Sequence, residues 1–333
     1  MIKLFPTPLP LGRERSAGVA AYAAAFALFL ALAMVPVSVR ADTADFKVAL
    51  RSVVSVLPDW PAANARLEEP EGSGVVVLDG RSVITAMHVV EKARNIRIRT
   101  SSGQILKAWL QGTDRATDLA LLKLDTRLAP LAFGGDVELG QGVCAIGNAF
   151  GLGLSVTCGT VSAVNRAGVG FNSIEDFVQT DAAVNPGSSG GALIDGEGRL
   201  VGVLSAIFTK TSDANIGVNF AISAPLARKV VQALSVDGSI AWQLGGLGLK
   251  AYPAKDAVGQ MAAEVVRVRT GGPAEVAGLK PGDRLIFADG RRIRKPADFR
   301  SIMARQNGGT VVTVEIRRGE QTIKLPIQVP KDD

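Results

Sequence analysis

One histidine, two cysteines and 5% aromatic residues in a chain of 333 leave little material for several kinds of chemistry. A lone imidazole, His88, with only Cys144 and Cys158 beside it excludes a disulfide-dense scaffold and a cysteine-rich metal site. No metal and no other cofactor is expected. Scarce aromatics leave no run of stacking platforms for single-stranded nucleic acid, although the formal net charge is +6. That charge is uneven: Lys3, Arg13, Arg15 and Arg40 load the N-terminal segment, a second basic excess falls in 250–333, and the stretch between is mildly acidic. Arg291, Arg292, Arg294 and Lys295 straddle a strand-to-helix turn and read as a solvated face, so no nucleic-acid partner is expected.

What the chain does hold is 47% hydrophobic residues, with Val, Ala and Gly abundant, enough to fill two cores. Residues 1–41 combine a basic start, an apolar run over 17–37 and a Val-x-Ala step from Val39 to Ala41, the layout of a cleaved signal peptide. The same run is long enough to span a bilayer, so a retained N-terminal membrane anchor is the alternative. Either way the remainder is expected to be exported, and held at a membrane if the segment stays. There Cys144 and Cys158 either pair or sit as two small buried apolar residues.

From Phe46 to about Ile222, short apolar runs such as "SVVSVL", "GSGVVV", "LALLKL", "GVCAIG" and "GTVSAV" alternate with turn signals. That pattern predicts an antiparallel all-β domain, closed by a helix over 224–234 and occupying 42–235. Residues 236–333 mix strand patterns with two short helical segments, "PAEVAG" and "KPADFRSIMARQ", and predict a separate α+β module.

The stretch "NPGSSGG", 185–191, contains GxSxG with Ser189 at its centre, a spacing that lets backbone approach a reacting atom. A serine nucleophile needs a base, and His88 is the one imidazole available. Because it precedes Ser189, the order of an α/β-hydrolase is excluded and His, Asp, Ser remains. Asp118 heads an apolar strand, where a carboxylate is costly without a fixed partner. Asp114 lies in the preceding turn and is the weaker candidate.

These residues carry a resemblance. "ITAMHVV", "TDLALLKL" and "QTDAAVNPGSSGGALID" are similar to the three catalytic blocks of the HtrA (DegP/DegS-like) branch of chymotrypsin-fold serine proteases, and "GSGVVV", "AIGNAFGLG" and "GTVSAV" match the same branch. "GLGL", "GGPAEVAGLKPGDRL" and the helix with Phe299 and Ile302 resemble a PDZ domain, so the resemblance covers about 46–330. It implies a mainly β chain: a chymotrypsin-like double β-barrel protease domain over 42–235 followed by an α+β PDZ domain over 236–333. It further implies that His88 is the base, Asp118 orients it, Ser189 attacks, and the N–H groups of Gly187 and Ser189 form the oxyanion hole. Ser188 stands where relatives usually have Asn. Asn219 stands where many have Gly on the wall of the primary specificity pocket, and with Ala206 it predicts a shallow pocket for small or medium aliphatic side chains.

The implied function is an exported serine endopeptidase for unfolded or misfolded proteins, regulated or targeted by a PDZ domain that binds peptide C-termini. The alternative is a proteolytically weak or inactive PDZ scaffold. Capture of a C-terminus is expected from the amides of Leu247, Gly248 and Leu249, with Gly246 and Gly248 turning the loop and Leu247, Leu249 and Ile302 forming the apolar socket. A homo-oligomer is expected, a trimer by resemblance.

Overall fold

Val alternating with small and polar residues makes short strands whose apolar faces must meet. In the computed structural model, which describes residues 43–60, 71–207, 217–242, 244–252 and 262–331, they close into two barrels. Helix α1 (Thr43–Ser52) leads into β1 (Val53–Asp59), β2 (Gly72–Val77), β3 (Ser82–Ala86), a single helical turn α2 (Met87–Val90), β4 (Asn95–Arg99), β5 (Ile105–Asp114) and β6 (Leu119–Lys123). These strands form an antiparallel barrel in the order β1-β2-β3-β6-β5-β4, with β4 returning to β1.

β7 (Gly142–Gly147), β8 (Ser155–Arg166), β9 (Phe177–Thr180), β10 (Ala192–Ile194), β11 (Leu200–Ile207) and β12 (Asn219–Ser223) form the second barrel, ordered β10-β11-β12-β9-β8-β7. β2 and β3 are buried on both faces. Val76 and Val83 fill the first barrel, while Val75, Val77 and Ile84 join Ile146, Ala192 and Val203 in the core between the barrels. Burial on two sides is why these strands read as continuous apolar runs. Cys144 lies opposite Cys158 across β7 and β8, and the two form a disulfide.

Helix α3 (Ala224–Asp237) starts where the Ser223 side chain accepts the Leu226 N–H and Pro225 fills the first turn, and it stops at a left-handed Gly238. It runs three residues beyond the 224–234 expected from spacing. The C-terminal module comprises β13 (Leu247–Tyr252), β14 (Ala262–Val268), the short α4 (Pro273–Val276), β15 (Arg284–Ala288), β16 (Arg291–Arg292), α5 (Pro296–Ala304), β17 (Val311–Arg318) and β18 (Gln321–Gln328). Its sheet runs β13-β14-β15-β17-β18, with β16 on β15.

α5 buries Phe299, Ile302 and Met303 on that sheet and turns another side to the second barrel. There Asp176, 1% exposed, accepts from Ser301 Oγ at 2.9 Å and Ser223 Oγ at 2.5 Å. It also pairs with Arg291 at 3.5 Å and Arg305 at 3.4 Å. Burial pulls the Arg291 guanidinium below its ordinary value, and Asp176 works in the opposite direction. Among the described residues no helix is long and apolar enough to cross a membrane. Residues 1–41, on which the signal-or-anchor expectation falls, lie outside the described residues.

Candidate active site

Asp118 enters β6 in a left-handed conformation, φ 61°, which Asp tolerates better than most residues. Two bonds from α2 hold it there. The Met87 N–H donates to its carbonyl at 2.8 Å and the His88 N–H to its Oδ1 at 3.0 Å. Its Oδ2 lies 2.6 Å from His88 Nδ1. A carboxylate at that distance keeps the proton on Nδ1 and makes Nε2 the basic nitrogen. Asp118 is largely buried while the imidazole is 42% exposed, so the pair faces outward from its base end. Asp114 is occupied elsewhere, taking the Thr117 N–H and hydroxyl and the Trp242 Nε1–H.

The 185–191 loop is set by its backbone bonds. Phe150 N–H donates to the Pro186 carbonyl at 2.7 Å, Ser188 N–H to Asn185, Gly190 N–H to Leu204, and Ser73 N–H to the Ser189 carbonyl at 2.9 Å. Because the C=O and N–H of a trans peptide point opposite ways, the Gly187 N–H faces away from Phe150. No described residue accepts the Ser189 N–H. The glycines have steric reasons. Gly187 has φ 89°, and a Cβ on Gly190 would lie 2.2 Å from the Ser73 carbonyl oxygen and 2.8 Å from Ala86 N. That close approach brings the 185–191 loop against the end of β3, two residues before His88.

The Ser189 hydroxyl donates to the Ser205 carbonyl at 3.4 Å, and Ser205 lines a cavity of about 410 Å³ together with His88, Asp118, Phe171 and Asn172. Proton transfer to the imidazole requires the hydroxyl to turn from Ser205, in line with catalytic hydrogen bonds that tighten only when substrate is present. Phe171 and Asn172 are held by the buried Glu175, whose carboxylate accepts the N–H groups of Val169, Gly170, Phe171 and Asn172. Asn172 in turn donates to the Thr117 carbonyl beside Asp118.

Asn219 is fully buried, its amide donating to the carbonyls of Ala182 at 2.8 Å and Thr180 at 3.4 Å. Ala206 pairs with Phe220 in the sheet, but its side chain lies outside the described residues. Ahead of β13 the left-handed residues are Gly245 (φ 75°) and Gly246 (φ 68°). Gly248, expected to share that turn, is already in β13 opposite Arg267, so the turn sits one residue earlier than expected because strand pairing claims Gly248. Leu247 and Leu249 are half-buried against the module's core, while Ile302 is 1% exposed within it. A cavity of about 610 Å³ opens at this turn, lined by Trp242, Leu244, Gly245, Gly246, Arg267 and Arg269 among others.

Sequence reasoning missed Ser73 and Glu175. Ser73 sits between two glycines in "GSG", a signal of close approach, whereas nothing near Glu175 marks it as the centre of four amide bonds.

A family model described as a trypsin-like peptidase domain matches residues 72–203, and one described as a PDZ domain matches 264–318. A probable periplasmic serine endoprotease DegP-like of Chlamydia trachomatis is 35% identical over 79% of this chain and 55% of its own length. The periplasmic pH-dependent serine endoprotease DegQ of Escherichia coli is 34% identical over 81% of this chain and 61% of its own. The chain thus spans little more than half the length of these curated relatives. Among solved structures, the HtrA-type protease AlgW with tripeptide is 32% identical, with TM-score 0.66 over 86% of this chain and 95% of that one.

Proposed function

The chain belongs to the family of HtrA-type serine proteases, and on that premise we propose that it is a periplasmic serine endopeptidase that cuts unfolded or misfolded proteins, with its PDZ domain holding peptide C-termini. The observation that carries this reading is the 2.6 Å His88–Asp118 pair beside the cavity to whose wall, at Ser205, the Ser189 hydroxyl donates. As Ser189 Oγ attacks the scissile carbonyl carbon, its proton passes to His88 Nε2 and the carbonyl electrons become an oxyanion facing the N–H groups of Gly187 and Ser189. His88 then returns the proton to the leaving amine. Water, deprotonated by the same nitrogen, hydrolyses the acyl ester. The close His88–Asp118 pair weighs against the inactive scaffold, which needs none.

The pocket for the side chain before the cut is read as shallow and apolar. Asn219, assigned to its wall by the resemblance, is fully buried, and neither "SAIF" nor "GVNFA" contains a carboxylate to attract Arg or Lys. Cleavage after Ala, Val and similar residues follows. Assembly as a trimer, and retention at the inner membrane if 1–41 is uncleaved, rest on the family resemblance and the N-terminal pattern. The test compares a reduced, alkylated protein with its folded form as substrates. Fragments from the unfolded form alone, absent with Ser189→Ala, are expected; equal cleavage of both forms, or fragments that persist with Ser189→Ala, would overturn the reading.

A further inference from the structure

Ser73 touches the nucleophile loop at two points and holds a third element against it. Its hydroxyl donates to the Gly187 carbonyl at 2.7 Å and accepts the Asn148 N–H at 2.8 Å. Its own N–H donates to the Ser189 carbonyl at 2.9 Å, and its carbonyl accepts Thr85 Oγ1 at 2.7 Å. The side chain is fully buried. A hydroxyl has one proton to give, and here it goes to Gly187 while a lone pair takes Asn148. Asn148 is itself fixed: fully buried, it donates through Nδ2 to Glu71 Oε2 at 2.5 Å and accepts the Gly153 N–H at 2.7 Å.

Two residues later Phe150 N–H holds the Pro186 carbonyl. The peptides on both sides of Gly187 are therefore pinned, one by Phe150 and one by Ser73, and Ser73 also pins the carbonyl of Ser189. We propose that Ser73 is a positioning residue for the oxyanion hole. From the first barrel it pins the 187–188 and 189–190 peptides, which flank the peptide carrying the Ser189 N–H and follow the one carrying the Gly187 N–H, and so holds both N–H groups toward the developing oxyanion. It touches no substrate. An alanine would leave the Gly187 carbonyl and the Asn148 N–H without the Ser73 hydroxyl, and a turn of the 187–188 peptide to recover a partner shifts the adjoining 186–187 and 188–189 peptides, which carry the two donors, and so misdirects the hole.

This inference rests on the proteolytic reading, and the test separates the two. The full chain, Ser73→Ala and Ser189→Ala are compared on one peptide substrate well below their unfolding midpoints, with a peptide aldehyde as inhibitor. The aldehyde carbon bonds to Ser189 Oγ, its carbonyl oxygen becomes the oxyanion, and the hydroxyl proton passes to His88, so its affinity reports the hole. Losing one oxyanion donor costs about 10²–10³ in kcat. Misaiming the donors is expected to lower kcat about 10- to 100-fold with KM within about twofold, to weaken the aldehyde by a like factor and to leave the pH midpoint unchanged. Should Ser73→Ala fail to fold, Ser73→Cys, with a weak donor of similar size, takes its place with a smaller loss of the same kind. Unchanged kcat and aldehyde affinity in the folded variant would overturn the role of Ser73 alone. A full chain no more active than Ser189→Ala would overturn the proteolytic reading instead.

Discussion

Asp118 holds His88 at two points, accepting its backbone N–H at 3.0 Å through Oδ1 and lying 2.6 Å from its Nδ1 through Oδ2. One oxygen fixes where the residue stands and the other fixes which ring nitrogen bears the proton. Asp118→Asn keeps the shape and offers an NH₂ or a carbonyl in place of an anion. It is expected to lower kcat by about 10⁴-fold, as loss of the correct tautomer does in other triads, with KM little changed. Steady-state kinetics on a peptide substrate decides it, and a loss under about tenfold would remove Asp118 from the triad.

The turn before β13 is expected to capture a carboxylate through backbone amides. Gly245 and Gly246 have φ values of 75° and 68°, which an L side chain resists. Calorimetry on the full chain carrying Ser189→Ala should show an apolar peptide binding more tightly as the free acid than as its amide, and Gly246→Ala should weaken the free acid alone. Arg267 and Arg269, exposed at the same cavity, should make the free-acid affinity fall with salt. Equal affinities for acid and amide would exclude capture by this turn.

Asp176 joins the PDZ module to the second barrel as a buried anion shared by Ser223, Ser301, Arg291 and Arg305. Removing Asp176 takes the carboxylate from Arg291 and the acceptor from the Ser223 and Ser301 hydroxyls, while Arg305 keeps its pair with Asp136. Asp176→Ala is expected to cost about 3 kcal/mol by urea denaturation and to increase tryptic cutting within 250–333. A change below about 0.5 kcal/mol would show that the contact contributes no stability.

The sequence made some of this legible because the alternatives were few. A single histidine ahead of GxSxG left one order for a triad, and strands buried on one or both faces announced themselves by pattern. The bonds that aim the site were not legible. Ser73 meets Gly187 across 114 positions, Asp176 meets Ser301 across 125, and no local periodicity encodes either encounter. The Cys144–Cys158 bond is hidden from the sequence for the same reason, since it depends on the β7–β8 register. Gly248 misled because two glycines at close spacing do not say which lies in the turn and which in the strand.

The most direct test of a serine protease built on Ser189 is intact and peptide mass spectrometry after reaction with a fluorophosphonate. One adduct per chain, located on Ser189 and absent from Ser189→Ala and His88→Ala, is the expected result. An adduct on Ser188, or none in a preparation that still hydrolyses casein, would contradict it.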